Sequence, residues 1–198
     1  MQDVQRHYDL LIDESNDPVH DPAELQAYMD QWDGNTFLQA LALDGTQSVL
    51  EIGVGTGRLA LRTAPLCRSY TGIDLSPKTI TRAEQNLTGF CNVTLLCGDF
   101  LTTTFADTYD VIYSSLTFMH IAQKEMAIAK IASLLVSGGQ VVLSLDKSRD
   151  EFIDYGTRRI RVYPDDPKEI AARMESAGMT VLFTTETAFA HIIAAERR

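Results

Sequence analysis

The segment Val49-Leu50-Glu51-Ile52-Gly53-Val54-Gly55-Thr56-Gly57-Arg58-Leu59 sets three alternating glycines after an apolar run and ahead of a helical pattern beginning near Arg58. Glycine adopts the backbone angles of a tight turn and, lacking a Cβ, lets a ligand lie against the main chain. An acid, Asp74, stands 21 residues after Gly53, at the end of the next apolar run. A carboxylate there accepts hydrogen bonds from the hydroxyls of a ribose. Strand, glycine loop, helix and acid in this order point to an adenosine-type ligand. The spacing also discriminates. The dinucleotide pattern G-x-G-x-x-G needs glycine at position 58. Arg58 stands there, and the third glycine arrives one residue early at Gly57. A nicotinamide reductase is therefore disfavoured.

His120 is the residue type best suited to proton transfer, six positions past the apolar run that ends at Ser114. There it would be a general base at the mouth of a pocket; the rival roles are capping the next helix or touching a cofactor. His191 falls inside the last apolar run and reads as structural. The four histidines (His7, His20, His120, His191) are scattered without HxxxH or HExxH spacing. Cys67, Cys91 and Cys97 have no metal spacing either and read as small apolar fillers. No metal site is expected.

These groups need elements to position them. Short apolar runs at Ser48–Ile52, Tyr70–Asp74, Val93–Cys97, Asp110–Ser114 and Gln140–Leu145 alternate with amphipathic stretches. Ser76 and Pro77 supply an N-cap and a proline at the first helical position, with Ile80, Ala83 and Leu87 on one face. Ile128, Ile131, Leu134 and Leu135 repeat with helical spacing, and Gly138-Gly139 is expected to end that helix. Strands alternating with helices predict a parallel, doubly wound α/β sheet with helices on both faces. Near the end, Asp166-Pro167-Lys168-Glu169 predicts a capping box, and its helix runs to Gly178. The runs Met179–Thr185 and Ala188–Ala195 are joined by too short a link for a crossover, so they must be antiparallel neighbours. Residues 1–45 read as helical segments preceding a core of residues 46–198, with Asp17-Pro18 and Asp21-Pro22 breaking them.

The length, 198 residues and 22.0 kDa, suits one domain with a small appendage. Seventeen basic against 27 acidic residues give a net charge of −10. Phosphate tracks and anionic membrane surfaces both require an excess of Lys and Arg, so neither nucleic acid nor membrane is an expected partner. No apolar run approaches bilayer length. The acidic start lacks the features of a signal peptide, so the expected location is cytoplasmic. Residues 1–33 hold nine acids and one base, Arg6, and so carry −8 of the charge. That segment is either a solvated face that promotes solubility or a lid that favours cationic ligands. Tyr8, Tyr28 and Trp32 are interleaved with its acids. As core aromatics they would be silent; as a pocket wall, with the acids, they would suit an amine or another cationic acceptor.

From about residue 35 to 195 the sequence resembles the class I S-adenosylmethionine-dependent methyltransferases of small-molecule type. Glu51 to Gly57 resembles the first motif of that family, and Gly72-Ile73-Asp74-Leu75-Ser76 its second. Cys97-Gly98-Asp99-Phe100 resembles the third, Tyr109 to Ser114 the fourth, and Leu134 to Gly139 the turn before the fifth strand. The family turn usually carries proline before its paired glycines; here Ser137 stands there. The resemblance implies a Rossmann-like sheet of seven strands with one antiparallel strand near the C-terminus. It implies S-adenosylmethionine as cofactor, S-adenosylhomocysteine as product, and methylation of a small-molecule acceptor. It assigns Gly53, Gly55 and Gly57 to the methionine and ribose portions, Glu51 to the methionine amino group and Asp74 to the ribose hydroxyls. Leu75 would pack on the adenine, Asp99 would accept from its amino group with Phe100 alongside, and Ser114 to Leu116 would line the methyl-donor end. Tyr8, Tyr28 and Trp32 would belong to an N-terminal extension folded over the acceptor pocket. Proteins of the same fold that bind this cofactor for other chemistry, or without transferring a methyl group, are the alternative.

Overall fold

The computed structural model describes residues 2–198. Five strands, β1 (Ser48–Ile52), β2 (Ser69–Asp74), β3 (Val93–Cys97), β4 (Tyr109–Ser115) and β5 (Leu135–Asp146), pair in parallel. Two more, β8 (Met179–Glu186) and β9 (Ala190–Arg197), complete a seven-stranded sheet of order β3-β2-β1-β4-β5-β9-β8. β9 runs antiparallel to both of its neighbours and is the one reversed strand. The expected architecture is therefore present.

The centre of the sheet is covered on both faces, and β1 and β4 are buried at nearly every position. Val49 points into one core with Phe37, Tyr70 and Ile80, while Leu50 and Ile52 point into the other with Ile128, Ile131 and Met174. The first core is covered by α3 (Gly34–Ala40), α4 (Ala60–Thr63) and α5 (Pro77–Asn86). The second is covered by α6 (Lys124–Leu134) and α7 (Pro167–Ser176). The chain leaves β1 for β2 on one side and returns to β4 on the other. This reversal opens a crevice beyond the carboxyl ends of those strands, where open α/β sheets take ligands.

Local chemistry sets the element ends. Ser76 caps α5 by accepting from the Thr79 amide at 3.1 Å, with Pro77 following as expected. Asp166 caps α7 by accepting from the amides of Lys168 and Glu169, but Glu169 turns to Arg173 at 3.0 Å instead of reaching back. The glycine pair behaves differently from expectation. α6 stops at Leu134 and β5 starts at once, so Gly138 and Gly139 lie inside the strand. A Cβ on Gly139 would meet the Tyr109 and Asp110 carbonyl oxygens at 3.1 Å, so glycine there lets β4 and β5 approach at a register shift. The cysteine expectation holds only for Cys67, which is buried; Cys91 and Cys97 are exposed.

Ahead of β1 lie α1 (Gln2–Asp13), α2 (Ala23–Met29) and α3. The acids of this stretch are tied to the rest of the molecule. Asp9 accepts from the Ser76 hydroxyl at 2.7 Å, and Asp13 pairs with Lys78 at 2.6 Å. Glu14 takes both terminal nitrogens of Arg158 at 2.6 and 2.7 Å, and Asp17 meets Arg82 at 3.1 Å. Asp33, fully buried, pairs with Arg58 and accepts from the Ser115 hydroxyl at 2.8 Å. Removing one partner of a buried ion pair strands the other charge. Asp33→Ala is therefore expected to lower unfolding free energy by about 3 kcal/mol in chemical denaturation.

A two-stranded hairpin, β6 (Phe152–Asp154) with β7 (Arg159–Arg161), stands apart from the main sheet and packs against α1.

Candidate functional site

One cavity of about 800 Å³ opens at the carboxyl ends of β1, β2 and β4. Its floor is the glycine loop, the ends of β2 and β3, and the turn after β4. Its walls are α1, α2 and the β6–β7 hairpin. Among the described residues no group of His, Cys, Asp and Glu could hold a metal ion.

The glycines divide the work. Gly55 sits at φ +57°, and a Cβ added there would meet nothing within 4 Å, so the bare backbone faces the open cavity. Gly53 sits at φ +83°, and its absent Cβ makes room for Thr117, whose hydroxyl would otherwise lie 1.9 Å away. Gly57 does not line the cavity: a Cβ there would press on Leu87 at 3.1 Å, so its role is to seat α5 against the loop. Leu116, just past β4, lines the cavity in the left-handed region at φ +55°. A non-glycine residue in that conformation costs roughly 1–2 kcal/mol.

Asp74 lies at the end of β2 and lines the cavity. Its two oxygens accept from the Gly55 and Ser76 amides, each at 3.0 Å. Every carboxylate oxygen has a second lone pair, so hydroxyls of a ligand can still be accepted. Burial raises its pKa, and the amide bonds oppose that shift. Leu75, Asp99 and Phe100 line the same end; Asp99 accepts from the Leu101 amide at 2.9 Å, which fixes its carboxylate.

Glu51 also lines the cavity, but Oε2 is turned into the core, accepting from the Tyr70 and Tyr113 hydroxyls. Burial pushes its pKa up to about 8, against the pull of the two tyrosines. Ser114 departs from expectation: it does not line the cavity, and its fully buried hydroxyl donates to the Ile52 carbonyl at 2.9 Å. Alternation along β4 turns the next residue, Ser115, to the cavity instead.

Tyr8, Tyr28 and Trp32 all line the cavity. The Tyr8 hydroxyl lies 2.9 Å from His120 Nε2, joining α1 to the turn after β4. Trp32 stacks against Phe189 with centroids 4.7 Å apart and donates to Asp146 at 3.2 Å. His191 lies on β9, away from the cavity, paired with Glu186 at 3.1 Å.

Burial lowers the pKa of His120 to about 4, aided by His7 and Lys124. Burial and Arg158 lower that of His7 to about 4 as well. Both imidazoles are neutral when folded at pH 7, whereas the unfolded chain takes up protons near the ordinary histidine value of 6.5. Stability contributed by these groups is therefore full above that value and is lost as pH falls toward 4. Glu51 works in the opposite sense, losing stability as pH rises from 4.5 to about 8. His120→Gln isolates one imidazole. The pH slope of unfolding free energy below 6.5 should then fall by about one proton, roughly 1.4 kcal/mol per pH unit, in denaturant titrations at stepped pH.

Several lining groups escaped sequence reasoning. Asp146 is the last residue of β5, directly after the apolar run Gln140–Leu145, an available signal. Asp165 and the hairpin residues Phe152 and Tyr155 had only a weak one: a glycine turn at Gly156 between runs of three residues.

Fold and site define an open α/β protein with an adenosine-type crevice at its topological switch point. A family described as a methyltransferase domain matches residues 49–139. A malonyl-[acyl-carrier protein] O-methyltransferase of Anoxybacillus flavithermus is 36% identical over 100 residues, covering 50% of this chain and 38% of that protein. A methyltransferase of unassigned substrate from the same organism is 27% identical over 191 residues, covering 87% and 89%. The chain spans 38% and 60% of the length of the first two curated relatives it matches. Among solved structures, magnesium protoporphyrin IX methyltransferase of Synechocystis with bound S-adenosylmethionine superposes with a TM-score of 0.75. It is 17% identical and covers 100% of this chain and 96% of that one. Over residues 49–139 the chain is thus similar to a methyltransferase domain, and its fold is shared with S-adenosylmethionine-dependent methyltransferases.

Proposed function

We propose that the protein transfers a methyl group from S-adenosylmethionine to a small-molecule acceptor by in-line displacement. The observation that carries this reading is the bare Gly55 backbone facing open cavity beside the Asp74 carboxylate. That pair suits a ribose lying across the loop. Leu75, Asp99 and Phe100 would hold the adenine, and Gly53 and Glu51 the methionine end, where Oε2 already serves two tyrosines. Of the stretch Ser114 to Leu116 expected at the methyl-donor end, Ser115 and Leu116 line the cavity, with Thr117 beside them. The bound cofactor supplies an activated methyl group.

With the leaving group already activated, the contribution asked of this chain is alignment and exclusion of water, worth ~7–11 kcal/mol in favourable cases. Residues 1–45 act as a cap: Tyr8, Tyr28 and Trp32 close the acceptor side, and the acids of α1 hold it to α5 and the hairpin. His120, kept neutral at pH 7, can accept a proton when the acceptor must lose one. Asp74→Ala should weaken S-adenosylmethionine binding by about 1–3 kcal/mol in calorimetry, because ligand hydroxyls lose their acceptor. Unchanged affinity in a folded variant would remove Asp74 from the site.

A further inference from the structure

We infer that the acceptor is an amine, a neutral nitrogen nucleophile that becomes a cation when methylated. This rests on the methyltransfer reading and specifies its substrate class. The inference comes from the half of the cavity beyond the glycine loop. Asp146, Asp150, Asp154 and Asp165 line that half, and none of its lining residues is Lys or Arg. Arg58, on the loop side, is the basic lining residue, and Asp33 and Asp30 already match it.

The neighbouring bases neutralise this chamber only in part, Lys124 at Asp165 and Arg159 at Asp154. Arg158 is held by Glu14, and Arg149 lies 3.7 Å from Asp166. Arg159 reaches Asp154 only at 3.9 Å. Asp146 and Asp150 have no basic partner among the described residues. Asp146 is held in place, accepting from Trp32 Nε1 at 3.2 Å and from the Ser148 amide at 2.7 Å.

Asp165 supplies a second, separate observation. Its side chain is 1% exposed, and Oδ1 lies 2.6 Å from Lys124 Nζ. Oδ2 has no hydrogen-bond partner although the residue lines the cavity. A buried carboxylate oxygen without a donor is costly, and a ligand N–H is the group that would satisfy it. Trp32, stacked on Phe189, adds an aromatic surface to the same chamber, and such surfaces attract cations.

The direction of charge movement separates amines from other acceptors. The nitrogen lone pair forms the new N–C bond, the C–S bond breaks, and its electron pair stays on sulfur. One positive charge thus passes from sulfur to nitrogen, and any N–H proton then leaves to solvent. Fixed carboxylates at the acceptor end stabilise the charge where it develops. A phenolate, thiolate or carboxylate acceptor would meet the Asp146 carboxylate, held by Trp32 and the Ser148 amide, as a like charge.

The test uses the full chain saturated with S-adenosylhomocysteine and three probes of similar shape: 2-phenylethylamine, 2-phenylethanol and phenylacetate. Ligand-observed NMR titrations should show the amine binding about tenfold or more tighter than the alcohol, with phenylacetate weakest. Asp146→Asn should bring amine and alcohol to within about twofold of each other. A double variant, Lys124→Met with Asp165→Asn, keeps that pair neutral and should likewise reduce the preference. Equal affinity for all three probes, a preference for phenylacetate, or no binding of the amine would overturn the inference. Failure of S-adenosylhomocysteine itself to bind would instead overturn the underlying cofactor reading, and it is measured first.

Discussion

Gly55→Val is expected to weaken S-adenosylmethionine binding by about 100-fold or more, equivalent to about 2.7 kcal/mol, with the far-ultraviolet circular dichroism spectrum retained. Two effects act together. The new side chain enters space that is empty of protein atoms and lies in the cavity, so it meets the ligand and not the core. A β-branched residue at φ +57° is also strained, which favours a shifted loop. The neighbouring glycines provide the contrast. Gly57→Ala would press on Leu87, and Gly53→Ala on Thr117, so those variants should lose stability as well as binding. Calorimetry and a melting curve on each variant separate the two outcomes. Wild-type affinity in Gly55→Val would mean that the ligand does not approach the loop here.

Removing residues 2–15 is expected to raise the dissociation rate of S-adenosylmethionine by about tenfold or more, because a covering element gates release. The deletion takes away Val4, Tyr8 and Leu11 from the cavity wall together with the Asp9, Asp13 and Glu14 anchors. Trp32 is the one tryptophan and lines the cavity, so its fluorescence reports the release directly. Stopped-flow displacement by excess S-adenosylhomocysteine measures the rate. An unchanged rate in a folded protein would show that α1 does not cover the ligand.

The sheet was legible in the sequence because its strands are short, largely apolar runs separated by helical patterns and turn residues. β1 and β3 match their expected limits residue for residue. The loop signals were equally local: Gly53, Gly55 and Asp74 are close in sequence, and each speaks through its own backbone or charge. What was illegible depends on partners far along the chain. The nine acids of residues 1–33 looked like a solvated face or a cation trap. Five of them pair with Arg58, Arg62, Lys78, Arg82 and Arg158, the last 144 positions away from Glu14, and no periodicity carries that information. Ser114 and Ser115 differ by one step of strand alternation, and the choice between them needs the register of β4 on β1. The Gly138-Gly139 pair looked like a helix stop because glycine commonly follows helices. It serves instead as a point of close approach between strands, which has the same composition and a different cause. The hairpin strands are three residues each, too short for an alternation signal to rise above chance.

The crevice at the ends of β1 and β2 is expected to take S-adenosylmethionine. Thermal unfolding with S-adenosylmethionine, S-adenosylhomocysteine and NAD, each in separate samples, tests it most directly. A ligand at 100 times its Kd stabilises the native state by about 2.7 kcal/mol. For a chain of this size that raises Tm by roughly 5–10 °C. Such a rise is expected with S-adenosylmethionine and with S-adenosylhomocysteine, and none with NAD. A rise with NAD alone would contradict it.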